Sequence, residues 1–311
     1  MSDLVAIDVR AQVGSRLPWR WHDRWVTRYE GKVGDLRQLL PIFRRRAGRY
    51  GEHEIVADNC GDRVVGRVSP NYVLVQHREL LDALPGVLRD EGYELDDMDG
   101  ELCLTSGGER MELIIDLPSQ RAAPLDGYPL ACRLRCLNSV DRSTALEAEL
   151  QWYRQICSNG MFGWAGERLR RIHRFDNALG WIHDRLYSRF QQLPADRVHF
   201  ERLTQMPVRA DDLQDWADVF VARKWGKQEA ARVLHICRTG KDGIAQKGWD
   251  DQPARELEVT ATVEVPGACA PVNNVYHIGQ ALSWVAGRAD ALHTQFSRTA
   301  AVPNLLRHLM N

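Results

Sequence analysis

Two neighbouring segments alternate strictly between apolar and polar residues. Leu130, Cys132, Leu134 and Cys136 fall on one side of the first and Arg133 and Arg135 on the other; in the second, Leu146, Ala148, Leu150 and Trp152 oppose Glu147, Glu149 and Gln151. A period of two over this length predicts a β-hairpin turning at residues 138–143. Its two arginines and two glutamates then pair across strands on an outer face, each pair contributing roughly 0.2–1 kcal/mol.

Similar patterning predicts strands at 54–57, 63–68, 72–76, 101–105 and 111–117, with Gly107-Gly108 as a hairpin turn. Leu80, Leu81, Leu84, Val87 and Leu88 have helical spacing and predict one helix over 77–91, and Leu179, Ile182, Leu186, Phe190 and Leu193 another over 177–193. Helices are expected at 198–206, 211–225, 227–239 (ending at Gly240), 273–297 and 304–309, interrupted by a flexible loop at 240–255 and a strand at 256–265. The fold class expected is α+β: a mixed or antiparallel sheet with helices packed on one face and a helical C-terminal half. The division expected is an arm over 1–50 and a single domain over 51–311, sheet-rich from 54 to 175 and helix-rich from 176 to 311.

Composition narrows the function. With 44% hydrophobic and 27% charged residues, 311 residues can bury a sizeable core, and a formal net charge of −1 leaves no global basic field, so any polyanion must be held by a local patch. The first 50 residues supply one candidate, since Arg10, Arg16, Arg20, Arg24, Arg28, Lys32, Arg37, Arg44, Arg45, Arg46 and Arg49 interleave with Trp19, Trp21, Trp25 and Tyr29. Such a mixture suits phosphate pairing and base stacking, and equally suits an arm whose tryptophans dock on the body and whose arginines are solvated. Residues 79–126 are instead strongly acidic and read as a solvated face or a surface for a basic partner.

Seven scattered cysteines without a Cys-x-x-Cys pair read as reduced thiols in a cytoplasm, and no leader or run of about 18 apolar residues is evident, so neither secretion nor a membrane partner is expected. Paired zinc-ligand spacings, a Walker loop and a dinucleotide fingerprint are missing from the sequence, so no metal and no cofactor is expected.

The richest polar stretch is the turn of the hairpin together with residues 154–174. Asn138, Ser139, Asp141 and Ser143 can each bond backbone locally, Asn159-Gly160 suits a chain reversal, and Arg168, Arg170, Arg171 and His173 form a second basic cluster. Asp141, Cys157 and His173 are the candidates for chemistry, with Cys157 and His173 readable as nucleophile and base or as packed structural residues. Arg133, Arg135, Arg154, Arg168, Arg170 and Arg171 are the candidates for phosphate, and Trp21, Trp25 and Trp164 for stacking. Asn138, Ser139, Asp141, Ser143, Asn159 and Gly160 form a cluster that either holds a ligand or knits the fold.

The residues Asn138-Ser-Val-Asp-Arg-Ser143, Tyr153-Arg-Gln-Ile-Cys-Ser-Asn-Gly160, His173, Val68-Ser-Pro-Asn-Tyr-Val-Leu-Val-Gln76 and a late helix over 273–293 resemble the phage- and plasmid-encoded family catalogued as domain of unknown function 932, over residues 65–295. The family pattern is Asn-Ser-aromatic-Asp-Gly-Ser, so Val140 and Arg142 depart from it. The resemblance implies a cytoplasmic protein of a mobile genetic element carried among genes for DNA processing, and no established reaction. The reading it favours is a homo-oligomeric nucleic-acid binder, for single-stranded DNA above all, by architectural analogy with recombination annealases. A hydrolase acting on nucleic acid or a nucleotide, and an anti-defence protein binding a host protein, are the alternatives.

Overall fold

The computed structural model describes residues 5–7, 26–58, 61, 63–123, 129–154, 161–165, 169–171, 173, 178–289 and 292–310. Antiparallel sheets and helices make an α+β fold with a mainly helical C-terminal half. The chain divides into two compact units, one of Met1–Ser119, Cys132–Leu150 and Gly166–Gln192, the other of Gln120–Ala131, Gln151–Ala165 and Leu193–Asn311.

In chain order the first elements are β1 (Val5–Ile7), β2 (Val26–Lys32), α1 (Val33–Gln38), β3 (Phe43–Ala47), β4 (His53–Ala57), β5 (Val64–Val68), α2 (His77–Asp82) and α3 (Pro85–Asp90). Next come β6 (Asp99–Thr105), β7 (Arg110–Ala122), β8 (Leu130–Ser139), β9 (Leu146–Arg154), β10 (Met161–Ala165), β11 (Leu169–Arg171) and α4 (Ala178–Phe190). The largest sheet runs β1-β2-β6-β7-β8-β9-β10, with β11 also pairing β9, while β3-β4-β5 form a separate three-stranded sheet.

Residues 26–47 are therefore built into the body and are not an arm. All seven residues of β2 pair with β6, from Val26 opposite Thr105 to Lys32 opposite Asp99. Some of the arginines that gave this segment the look of a solvated tail are paired, Arg28 with both Glu30 and Glu101 at 2.7 Å, whereas Arg44 and Arg45 stand exposed on β3. Two further local expectations fail for identifiable reasons. The helix expected over 77–91 is two helices, because Pro85 occupies the first turn of α3 and cannot continue α2. Residues 72–76 are extended without being a strand, and the amide of Val73 bonds the carbonyl of His173 at 2.9 Å.

The hairpin of β8 and β9 is present, but the face expected to meet solvent is buried. Glu112, Arg133, Arg135, Glu147, Glu149 and Gln151 are each less than one-tenth exposed. Arg135 makes an ion pair with Glu112 of β7. Taking such charges out of water costs several kcal/mol per ion unless each is paired and hydrogen-bonded, so this layer is held by mutual compensation. The acidic stretch after α2 does lie largely at the surface, with Glu112 as its buried exception.

The second unit holds α5 (Leu193–Thr204), α6 (Ala210–Trp216), α7 (Ala222–Trp225), α8 (Lys227–Thr239), β12 (Lys241–Ala245), β13 (Val259–Glu264), α9 (Val275–Gly287) and α10 (Leu292–Arg307). A π-helical turn at Ala217–Val221 joins α6 to α7, and α8 stops where Gly240 turns left-handed at φ 73°. The segment expected to be a flexible loop contains β12, which pairs with β13. All thirteen residues of α9 are buried, so it is the central helix of this unit, capped where Asn274 accepts from the amide of His277 at 2.9 Å. Trp152 is fully buried on β9, with its indole N–H on Asp196 at 2.9 Å and its ring edge-on to Phe200.

One buried carboxylate ties three elements of this unit together. Asp242 on β12 receives both Nε and Nη2 of Arg232 from α8, at 2.9 and 2.7 Å, and the indole N–H of Trp284 from α9 at 2.9 Å. Burial alone would raise the Asp242 carboxyl, but these donors and the amide of Gly243 hold it below its usual range. Replacing Asp242 with Ala strands a guanidinium and an indole N–H, and urea denaturation should show a loss of about 3–5 kcal/mol. A loss under about 1 kcal/mol would mean that the three elements do not depend on this group.

Candidate functional site

Asn138, at the end of β8, is completely buried. Its amide nitrogen donates to the carbonyl of Val75 at 2.9 Å and to Nδ1 of His77 at 3.0 Å. Nε2 of His77 is 2.7 Å from the carbonyl of Gly108. A carbonyl can only accept, so His77 carries its proton on Nε2 and leaves Nδ1 as an acceptor, which requires the Asn138 nitrogen to point at it. The network thus fixes both the tautomer and the amide orientation.

The turn beyond Asn138 is tied down residue by residue. Ser139 Oγ accepts from the amide of Thr144 at 3.0 Å and donates to its carbonyl at 2.9 Å, while the Ser139 carbonyl accepts from the hydroxyl of Tyr72 at 2.9 Å. Asp141 accepts from the amide of Ser143 at 3.0 Å and from Nε of Arg110 at 2.7 Å. Arg142 holds φ at 67°, the left-handed region that glycine adopts most readily. Val140 is fully buried in a cluster with Phe43, Ile55, Val68 and Tyr72, so the turn plugs the core of the three-stranded sheet.

The same network positions β3 to β5. The side chain of Gln76 bonds both the amide and the carbonyl of Phe43, each at 2.9 Å, and the Phe43 ring meets His77 edge-on at 5.2 Å. A Cβ on Gly66 of β5 would lie 2.9 Å from the Asp141 Cα, so glycine is what lets that strand close on the turn.

His173 stacks on Tyr72 with ring centroids 5.0 Å apart. It is 5% exposed, and a weak hydrogen bond to the Val73 main chain offsets only part of the burial of its ring, while Oδ1 of Asn138 has no partner among the described residues. Burial lowers both His77 and His173 to about 4, and the same cause raises the Tyr72 phenol.

Of the expected site residues, Asn138, Ser139, Asp141, Ser143 and His173 are brought into one region by hydrogen bonds, by stacking and through Tyr72. Asp141 is committed to Arg110 and its own turn, which leaves it no free role in chemistry. Arg133 and Arg135 are buried on the sheet, 9% and 5% exposed, and do not lie on an open surface. Trp21, Trp25, Cys157, Asn159, Gly160 and Arg168 lie outside the described residues. Arg154, Trp164, Arg170 and Arg171 are placed by backbone alone, at the end of β9, within β10, opposite Glu147 and opposite Leu146. Among the described residues no three His, Cys, Asp or Glu side chains are grouped to hold a metal, and no helix is long and apolar enough to cross a membrane. Cys103, Cys132, Cys136 and Cys237 are buried free thiols; burial raises Cys103 well above its ordinary value and Cys136 and Cys237 to about 12, which makes these three unreactive.

The turn, Gly66 and the residues clasping them lie within a match to the family model described as Domain of unknown function (DUF932), which spans residues 64–265, more than half the chain. The chain belongs to the DUF932 family. No curated protein and no solved structure matches it. Asn138 and its partners Val75 and His77 fall within that DUF932 span, whereas Phe43, held by Gln76, lies before it.

Arg44, Arg45 and Arg46 of β3 and Arg49 of the turn after it, expected in a basic arm, belong instead to a three-stranded sheet that also carries Arg67 on β5 and Arg63 just before it, a grouping that sequence reasoning missed. Arg44, Arg45, Arg46, Arg49, Arg63 and Arg67 lie at the surface, and Tyr50, in the turn joining β3 to β4, is 88% exposed. Arg46 and Arg67 share Glu54, whereas Arg44, Arg45, Arg49 and Arg63 have no carboxylate partner among the described residues. The signal was present as the run Phe43-Arg-Arg-Arg-Ala47, but it was absorbed into the expected arm.

The two histidines make a pH prediction with a definite sign. Unfolded, they protonate near 6.5; folded, they stay neutral to about 4. Between those values the unfolded state binds more protons, so stability is complete above about pH 6.5 and is lost as pH falls towards 4, by on the order of 3 kcal/mol per ring. Melting temperature followed over this range should drop, and His173→Phe, which keeps the stack on Tyr72, should flatten part of the drop at a cost of no more than about 1 kcal/mol at neutral pH, the worth of one weak hydrogen bond to the Val73 main chain. Destabilisation by His173→Phe well beyond that at neutral pH would show that the ring nitrogens hold more of the structure than this one bond.

Proposed function

We propose that this chain is a nucleic-acid-binding protein that holds a single strand across the β3–β4–β5 sheet, in keeping with a role for a mobile genetic element in strand binding or annealing. The observation that carries this reading is the set of four surface arginines without carboxylate partners among the described residues, together with an exposed tyrosine in the β3–β4 turn. Unpaired guanidiniums are free to neutralise phosphates, and one aromatic face at the tip of a hairpin gives a base a stacking platform. The bland account of three arginines on an edge strand is protection against edge-to-edge pairing. That account leaves Arg49, Arg63 and Tyr50, all off the edge strand, without a reason.

The reading needs no reaction.

Binding of a fluorescent single-stranded oligonucleotide, measured by anisotropy against salt, tests it. The triple change Arg44→Ala, Arg45→Ala and Arg49→Ala removes none of the ion pairs described above and should leave the fold intact. Affinity should fall at least tenfold, and the log–log salt slope by about 2, at roughly 0.7 per lost phosphate contact. An affinity within about twofold of the parent chain, or no salt-dependent binding by the parent chain, would contradict the proposal.

A further inference from the structure

The two-stranded sheet of the second unit ends in a strand with an open edge. β13 pairs with β12 alone among the described residues, and Thr260, Ala261, Thr262, Val263 and Glu264 are all exposed. The run Val259-Thr-Ala-Thr-Val263 is uncharged and β-branched at four of its five positions, the composition that pairs most readily with another strand. Open edges in native proteins are normally guarded by lysine, proline, an inward-pointing charge or a bulge. Here the register slips between Asp242 and Gly243, which places an extra residue at Thr262, and no other guard stands in the run.

Apolar side chains are exposed around the same hairpin. Ile244 on β12 is 69% exposed, Trp249 in the connecting segment 81% and Val263 40%. An edge pairing alone falls short of the roughly 1,200 Å² that a stable interface buries, and these side chains extend the area available.

We infer that β13 pairs antiparallel with β13 of a second copy of this chain, about a two-fold axis. The backbone and charge pattern favour this occupant. The amide of Gln246 bonds the carbonyl of Glu258, and the amide of Val265 bonds the carbonyl of Gly240, so residues 258 and 265 turn their main-chain groups towards β12. By alternation Val259 and Glu264 turn theirs outward. Setting Val259 opposite Glu264 of the copy joins outward groups at both ends of the ladder. It also keeps like charges from facing each other, since Glu264 meets Val259 and Glu258 meets Val265. A parallel pairing would set Glu258 against Glu258 and Glu264 against Glu264, which is destabilising.

The inference is independent of nucleic-acid binding and is tested without it. Light scattering coupled to size exclusion, on the full chain at tens of micromolar, should give twice the 35.5 kDa chain mass. Hydrogen exchange should show the Val259 and Glu264 amides protected at that concentration and released on dilution. The double change Thr260→Lys and Thr262→Lys, both at exposed positions, should weaken the dimer at least tenfold with an unchanged melting temperature of the hairpin-bearing unit. A monomeric parent chain overturns the inference, even if a foreign peptide protects β13; so does a dimer that survives both lysines with the β13 amides unprotected.

Discussion

Asn138 spends both of its amide hydrogens inside the protein, one on the Val75 carbonyl and one on His77. Leaving either acceptor unpaired in a fully buried site would cost about 1–3 kcal/mol, so the side chain dictates where the segment preceding α2 must lie. From there the constraints propagate. His77 reaches the Gly107-Gly108 turn, Gln76 clips the start of β3, Tyr72 holds the far side of the turn through the Ser139 carbonyl, and Val140 enters the core of the three-stranded sheet. The arginine-bearing surface is therefore presented by a sheet whose position is set by one buried amide.

This separates two roles that a polar motif can blur. Side chains dense in hydrogen-bonding groups look like a site, yet here Ser139, Asp141 and Ser143 are engaged in local turn bonds, and Asp141 is closed off by Arg110. The family motif is best understood as a clamp. The turn itself agrees with that: Val140 takes a wholly apolar place in the core of the three-stranded sheet, and Arg142 keeps a left-handed backbone at a cost of roughly 1 kcal/mol. On the proposed reading, the ligand-facing chemistry lies in the exposed arginines that the clamp holds in place.

Much of the architecture was legible in the chain. The period-two segments put β6 to β9 in the right places because both of their faces are ordered by burial, and the apolar stripes located α4 and α8. The failures share a physical cause, which is that tertiary surroundings decide what charge patterns mean. Arg133, Arg135, Glu147 and Glu149 alternate as a solvent-facing ladder would, yet they form a buried charged layer, and nothing in a single strand's pattern distinguishes the two. The arginines near the N-terminus hid β2 and β3: Arg28 of β2 is compensated by Glu101, distant in sequence, and Arg44 and Arg45 of β3 are exposed, so both strands look like a solvated tail. Pro85 was a local signal for a helix break that the hydrophobic stripe outweighed. For the site, the Asn138 cluster was visible from its residue types, whereas its coupling to β3 through Gln76 depends on contacts more than thirty residues apart and was not.

The claim that the clamp supports and the arginine sheet binds is tested most directly by ultraviolet cross-linking of a single-stranded oligonucleotide to the full chain, with the joined peptides read by mass spectrometry. The account predicts cross-links in the peptide carrying the β3–β4 turn, centred on Tyr50, and none at Asn138, Asp141 or His173. Cross-links concentrated on the peptides of the Asn138 cluster, with the β3–β4 turn unmodified, would contradict it.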